Sequence, residues 1–199
     1  MKFNNWGIFV LLSTIFLFSC ASYKVQTVKV EPVKSYKNKV NISDIVIAVD
    51  PFDETEKSKS VFYADLTGKN IKPLHVIVRN DSEYDVFIIR SEILLTYRNG
   101  DNYQHVNSNY VFNRFEHNEL LYLFFGGFLS FKSADDANEK MQADWFEKEF
   151  PEEKVISSQR KASGFVFFET PQHLSGGTVV IPVMNYSTDK IVKFEIPIS

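Results

Sequence analysis

Residues 164–198 read GFVFFETPQHLSGGTVVIPVMNYSTDKIVKFEIPI, and this stretch decides the fold class. Gly164-Phe165-Val166-Phe167-Phe168-Glu169 is a short apolar run of the aromatic and β-branched residues that suit a pleated surface. Thr178 to Val183 follows the turn-forming pair Gly176-Gly177. Ile191 to Ile198 alternates, setting Val192, Phe194 and Ile196 against Ile191, Lys193 and Glu195. Three strands joined by short turns are the economical reading.

The same periodicity runs upstream. Leu74, Val76 and Val78 share one face of a strand over 74–78, and Asn80-Asp81-Ser82-Glu83 is a turn. Val86 to Ile89 and Ile93 to Tyr97 are further strands. Asn99-Gly100 accepts positive φ at both positions and marks a hairpin returning through Tyr103 to Val106. Ile42 to Asp50 reads as the first strand. About eight strands with short turns predict a mainly β (α+β) chain, an immunoglobulin-like β-sandwich with inserted helices.

Two helices interrupt the strands. One is expected near 54–66, where Asp53 and Glu56 have the spacing of a capping box. The other is expected near 133–150. Ser133 and Asp136 resemble a capped start, Ala137, Met141 and Trp145 step by four, and Pro151 ends it. Between strands and helix lies Leu120 to Phe131, LLYLFFGGFLSF, twelve uncharged residues and too short to span a bilayer. It reads first as a core segment and second as a surface for lipid or a partner.

The N-terminus carries a different message. Lys2 is the only charge before Cys20, and Trp6 to Phe18 is apolar. A charged start, a short apolar run and a small residue before the cut form the secretory pattern. Leu17-Phe18-Ser19-Cys20 resembles the lipobox of bacterial lipoproteins. The resemblance implies cleavage between Ser19 and Cys20 and a diacylglycerol thioether on the Cys20 sulfur. Ala21 follows instead of Asp, the usual inner-membrane retention signal, which implies an outer-membrane location with the domain outside the cytoplasm. Three segments result: a lipoprotein signal peptide over 1–19, lipidated Cys20 with a basic tether over 20–41, and the sandwich-like domain over 42–199.

Charge divides along the same boundary. Residues 21–41 hold Lys24, Lys29, Lys34, Lys37 and Lys39 against Glu31, a balance of +4. Taking these and Lys2 from the chain's −3 leaves −8 on residues 42–199. Nucleic-acid binding begins with phosphate neutralisation, so an acidic domain argues against it. The basic stretch reads as a solvated spacer, with anionic headgroups as the alternative contact. Cys20 is the only cysteine, so the domain has no internal disulfide and depends on its core.

Further residues carry a family resemblance. Asp50-Pro51, Lys57, Phe62, Asp65-Leu66, Ile71-Lys72-Pro73-Leu74 and Val78-Arg79-Asn80 resemble a group of uncharacterised bacterial lipoproteins. So do Ala143-Asp144, Lys148-Glu149-Phe150, Val155-Ile156 and Ser163 to Phe168. The resemblance implies a lipid-anchored, β-rich extracytoplasmic domain and brings no activity with it.

Reactive chemistry has no clear signature. His75, His105, His117 and His173 are scattered, without metal-ligand spacing. Asp50, Asp53 and Glu54 are the oxygens a calcium ion would use at the first helix, though they match no known loop. Acidic residues there also serve the helix dipole. There is no GxSxG and no phosphate-binding glycine loop. No cofactor is implied. The leading expectation is a non-catalytic binding or envelope structural module, with the membrane and an envelope protein as partners. The alternatives are an extracytoplasmic enzyme using Asp50 and Asp53, or a carrier of an apolar ligand, suggested by 19 Phe.

Overall fold

Ser43 and Asp44 both adopt left-handed φ, 51° and 63°. That is the geometry of a two-residue hairpin turn whose twist matches the flanking strands. It folds strand β1 (Asn38–Ile42) back on β2 (Ile45–Pro51), with Ile42 opposite Ile45. The first strand expected over 42–50 is therefore a hairpin, and the domain begins before residue 42. The computed structural model describes Tyr23, residues 25–115 and residues 131–199, with side chains of its longest helix described from Asp136. Ser19, Cys20 and all of the Leu120–Phe131 run except Phe131 lie outside the described residues.

The remaining strands are β3 (Ile71–Asn80), β4 (Val86–Ile89), β5 (Leu94–Tyr97), β6 (Asn102–Val106), β7 (Glu153–Ile156), β8 (Arg160–Glu169), β9 (Gly177–Asn185) and β10 (Ile191–Pro197). All ladders are antiparallel, in the order β1-β2-β3-β8-β6-β5-β9-β4-β7, with β10 on β9. The mainly β, α+β character is as expected. The immunoglobulin-like form does not follow from the ladders. β6 pairs with β5 through Leu94–Gln104 and with β8 through Val106–Phe167, so the sheet is continuous around that edge. At the far edge, the Ser199 amide and hydroxyl both donate to Asn38 Oδ1, at 3.1 and 3.0 Å.

β3 is buried along nearly its whole length because it is covered on both faces. Leu74, Val76 and Val78 point into an inner core shared with Val179, Ile181 and Phe194. The opposite face contributes Ile71, and β8 contributes Phe165 and Phe167, to an outer core under the helices.

Among the described residues, three helices build that outer layer: α1 (Thr55–Phe62), α2 (Ser108–Asn113) and α3 (Phe131–Lys148). α1 is shorter than the 54–66 expected. Tyr63 turns left-handed (φ 56°) and its N–H returns to Lys59 O, closing the helix. Asp53 does not cap it. Its Oδ2 accepts the Leu174 N–H at 2.8 Å, which fixes the β8–β9 connection instead. α2 has its own cap, Asn107 Oδ1 accepting the Tyr110 N–H at 2.8 Å. α3 already includes Phe131, so Ser133 lies inside the helix and not at its start. Trp145 from α3 meets Phe62, Phe112 and Phe115 edge-on at 5.7–5.9 Å, and its Nε1 donates to Phe62 O at 3.2 Å.

The chain leaves α3 by crossing β8 where β6 has ended. Phe150 N donates to Phe165 O at 2.8 Å. A Cβ on Gly164 would lie 2.6 Å from Phe150 Cα, so this crossing requires glycine. Beside it, Glu149 is buried with its carboxylate fully engaged. Oε1 accepts the Ser108 N–H at 3.0 Å, Oε2 accepts the Ser108 hydroxyl at 2.8 Å, and Arg90 lies 3.0 Å away. The Arg90 guanidinium also donates to Phe150 O at 2.5 Å and pairs with Glu152 at 2.9 Å.

Candidate functional site

Residues 25–36 form no spacer. They run as an extended strap across the outer face of the β2-β3-β8 region. Alternate residues face outward, as an extended backbone dictates. Val25, Thr27, Lys29 and Glu31 are exposed, while Gln26, Val28 and Val30 are half-buried. The strap makes no ladder with the sheet. A 3-10 turn at Val33–Ser35, with Ser35 N donating to Pro32 O at 2.8 Å, leads into β1.

Tyr23 pins the start of the strap. Its ring is 7% exposed and meets Tyr63 edge-on at 5.4 Å. Its hydroxyl donates to Asp144 Oδ2, and Gln26 Nε2 donates to the Tyr63 hydroxyl. Asp144 and Lys148, one turn apart on α3, form a buried ion pair. Lys148 Nζ also donates to Val61 O at 3.0 Å. Burial pushes the Lys148 ammonium below its usual value, and the Asp144 carboxylate opposes that shift. Burial raises the Tyr23 phenol well above its ordinary value, and the hydrogen bond to Asp144 adds to it. One carboxylate thus receives a phenol from the strap and an ammonium from its own helix.

Two grooves lie beneath the strap. One, of about 250 Å³, is lined by Val25, Val28, His75, Asp144, Lys148 and Phe165 among others. His75 is 3% exposed, stacks on Phe165 at 4.8 Å and meets Phe52 edge-on at 6.4 Å. Burial holds its imidazole down at about 4, so it is neutral at physiological pH. The second groove, of about 410 Å³, lies between Val30, Val33 and Lys34 of the strap and Ile77, Arg79 and Lys161 of the sheet.

The carboxylates singled out from sequence are placed apart. Asp50 is bound by Lys57 Nζ at 2.6 Å, and that ammonium also donates to Pro51 O at 2.8 Å and sits 4.3 Å over the Phe52 ring. Asp53 is committed to the Leu174 amide, with His173 at 3.7 Å. Glu54 is the N-cap position of α1 and makes no side-chain cap bond. Among the described residues, no three His, Cys, Asp or Glu side chains converge as metal ligands. The acidic turn is likewise committed, Asp81 to Arg79 at 2.5 Å and Asp85 to the Ser158 amide at 2.9 Å.

Asp144 and Lys148 enter the sequence reading only through the family resemblance, and Tyr23 does not enter it. The i, i+4 spacing of Asp144 and Lys148 was available as a signal of a helix-borne pair. Nothing local connects either residue to Tyr23.

Among the described residues, no helix is long and apolar enough to cross a membrane. No family model matches the sequence, and no curated protein matches it. Among solved structures, the yjhA protein from Bacillus subtilis is similar over 82% of this chain and 98% of its own, at 12% identity and TM-score 0.44. A functionally unknown protein from Listeria monocytogenes EGD-e is similar over 89% of this chain and all of its own, at 14% identity and TM-score 0.34.

Proposed function

We propose that this chain is a lipid-anchored extracytoplasmic lipoprotein whose domain is a non-catalytic binding or envelope structural module. The anchor rests on Leu17-Phe18-Ser19-Cys20 behind the apolar N-terminal run. Two or three acyl chains, at about 0.8 kcal/mol per buried methylene, hold such a protein on a bilayer durably.

One observation carries the non-catalytic reading. Asp144 and Lys148, the ion pair lining the smaller groove, are spent on the fold itself: Asp144 on Tyr23 and Lys148, and Lys148 on Val61 O. The same is true of Asp50 with Lys57. A general base or nucleophile needs a free lone pair aimed at substrate, and these serve as fasteners.

Metabolic labelling with an alkyne fatty acid tests the anchor. The account expects label on the wild-type chain and none on Cys20→Ala. Equal labelling of both overturns it.

A further inference from the structure

We propose that the strap side of the sheet is the face this protein lays on an anionic phospholipid surface. The proposal rests on the lipidation of Cys20 advanced above. Its own grounds are the length of free chain and the distribution of charge.

Only Ala21 and Ser22 separate Cys20 from Tyr23, which is buried in the domain. Three residues of extended chain reach about 10 Å. A free tether over residues 20–41 would reach roughly 70 Å. Docking of the strap removes that slack, so the lipid at Cys20 holds the Tyr23 end of the domain against the headgroups. The remaining gap is comparable to the Debye length of about 8 Å at physiological salt. Charges on whichever side of the domain then turns down lie within reach of the surface, and those on the opposite side do not.

The strap side is also where the basic charge is collected. Lys29, Lys34, Lys37 and Lys39 are all exposed along it. The sheet adds two cations: Arg79 and Lys161 are cross-strand partners, and both line the larger groove with Lys34. Carboxylates cancel only part of this. Glu31 binds Lys29 at 2.6 Å and Asp81 binds Arg79 at 2.5 Å. Lys34, Lys37, Lys39 and Lys161 have no carboxylate partner among the described residues. The rest of the chain is net acidic, so an anionic surface attracts this face and repels the others. Lipid attachment sets the distance, and charge sets which side turns down.

The test uses the full mature lipidated chain on vesicles of phosphatidylcholine, with and without phosphatidylglycerol, containing a headgroup-nitroxide lipid. Cys20 is blocked by its lipid and is the only native cysteine, so introduced thiols take a fluorophore specifically. One label replaces exposed Thr27 on the strap, as Thr27→Cys. The other replaces exposed Glu195 on β10, as Glu195→Cys. The expected result on phosphatidylglycerol vesicles is several-fold stronger quenching of the Thr27 label. Lys34→Glu, Lys39→Glu and Lys161→Glu together abolish that contrast while the protein stays vesicle-bound. The milder triple Gln variant weakens it, and unchanged Trp fluorescence confirms that both variants are folded. Equal quenching of the two labels, or a contrast indifferent to phosphatidylglycerol and to charge reversal, overturns the proposal. Failure of the underlying lipidation shows separately, as protein that does not float with vesicles of either composition.

Discussion

The Tyr23 hydroxyl donates to the carboxylate of Asp144, 121 positions further along the chain. That bond turns the basic N-terminal stretch into part of the domain. Asp144 is also held by Lys148 on the same helix, so the carboxylate keeps a partner when the phenol is removed. The strap is therefore the removable member of the set.

Tyr23→Phe keeps the ring and loses the bond. Asp144 retains Lys148, so the expected cost is about 1.5 kcal/mol in urea unfolding, near the lower end for a bond to a charged group. Trypsin cleavage at Lys29 should accelerate more than global unfolding does. Alkaline pH acts on the same bond. The folded phenol titrates above the ordinary value of about 10, so the unfolded chain loses this proton first and the fold is destabilised as pH rises above about 10. Tyr97, pushed up to about 12 mainly by burial, adds loss over the same range.

His75 makes an acid-side prediction. Its folded value of about 4 lies below the ordinary 6.5. The unfolded chain therefore takes up this proton first as pH falls. Stability from the neutral imidazole is complete above about 6.5 and drains away towards 4, a loss on the order of 3 kcal/mol. Urea midpoints of wild type and His75→Gln should diverge at neutral pH and converge near pH 4. A constant difference between them would remove burial of His75 as the cause.

Among the described residues, Arg90 is the one cation bound to the buried Glu149. Arg90→Met leaves that carboxylate with two hydrogen bonds from Ser108 and no charge partner. The expected loss is about 3–5 kcal/mol in chemical unfolding. Arg90→Lys should recover only part, because one ammonium does not reach Glu149, Glu152 and Phe150 O in the forked geometry. Full recovery by Lys would show that charge alone matters there.

Gly164→Ala places a methyl 2.6 Å from Phe150 Cα and 2.7 Å from Phe150 N. Backbone atoms yield poorly, so a cost of about 1–3 kcal/mol is expected, read as a lower melting temperature. Gly100→Ala is the control. Its Cβ would meet nothing within 4 Å, and its φ of 93° supplies strain without a clash.

The strands legible in the sequence are those whose own residues announce them. Val166 and Phe168, and Val179, Ile181 and Val183, alternate into one core, and period two is a local signal. β1 was missed because Asn38-Lys39-Val40-Asn41 reads as polar chain, and because its turn is Ser43-Asp44 and not Asn-Gly. β7 was missed because Glu153-Lys154-Val155 is an exposed edge that gains its place only from β4. Asp53 was misread as a cap since its true partner, the Leu174 amide, is 121 residues distant. The strap failed for the same reason. Val25, Val28 and Val30 carry too little bulk to predict a docked segment, and its fastener comes from α3. Local pattern reports which face is apolar and says little about which distant element covers it.

The docked strap is tested most directly by a spin–spin distance. Labels at Thr27→Cys and Glu195→Cys, in a Cys20→Ala background, should give one narrow distance distribution in double electron–electron resonance. Adding Tyr23→Phe should broaden it. A broad distribution in the otherwise native chain, unchanged by Tyr23→Phe, would contradict the account and return residues 20–41 to a free tether.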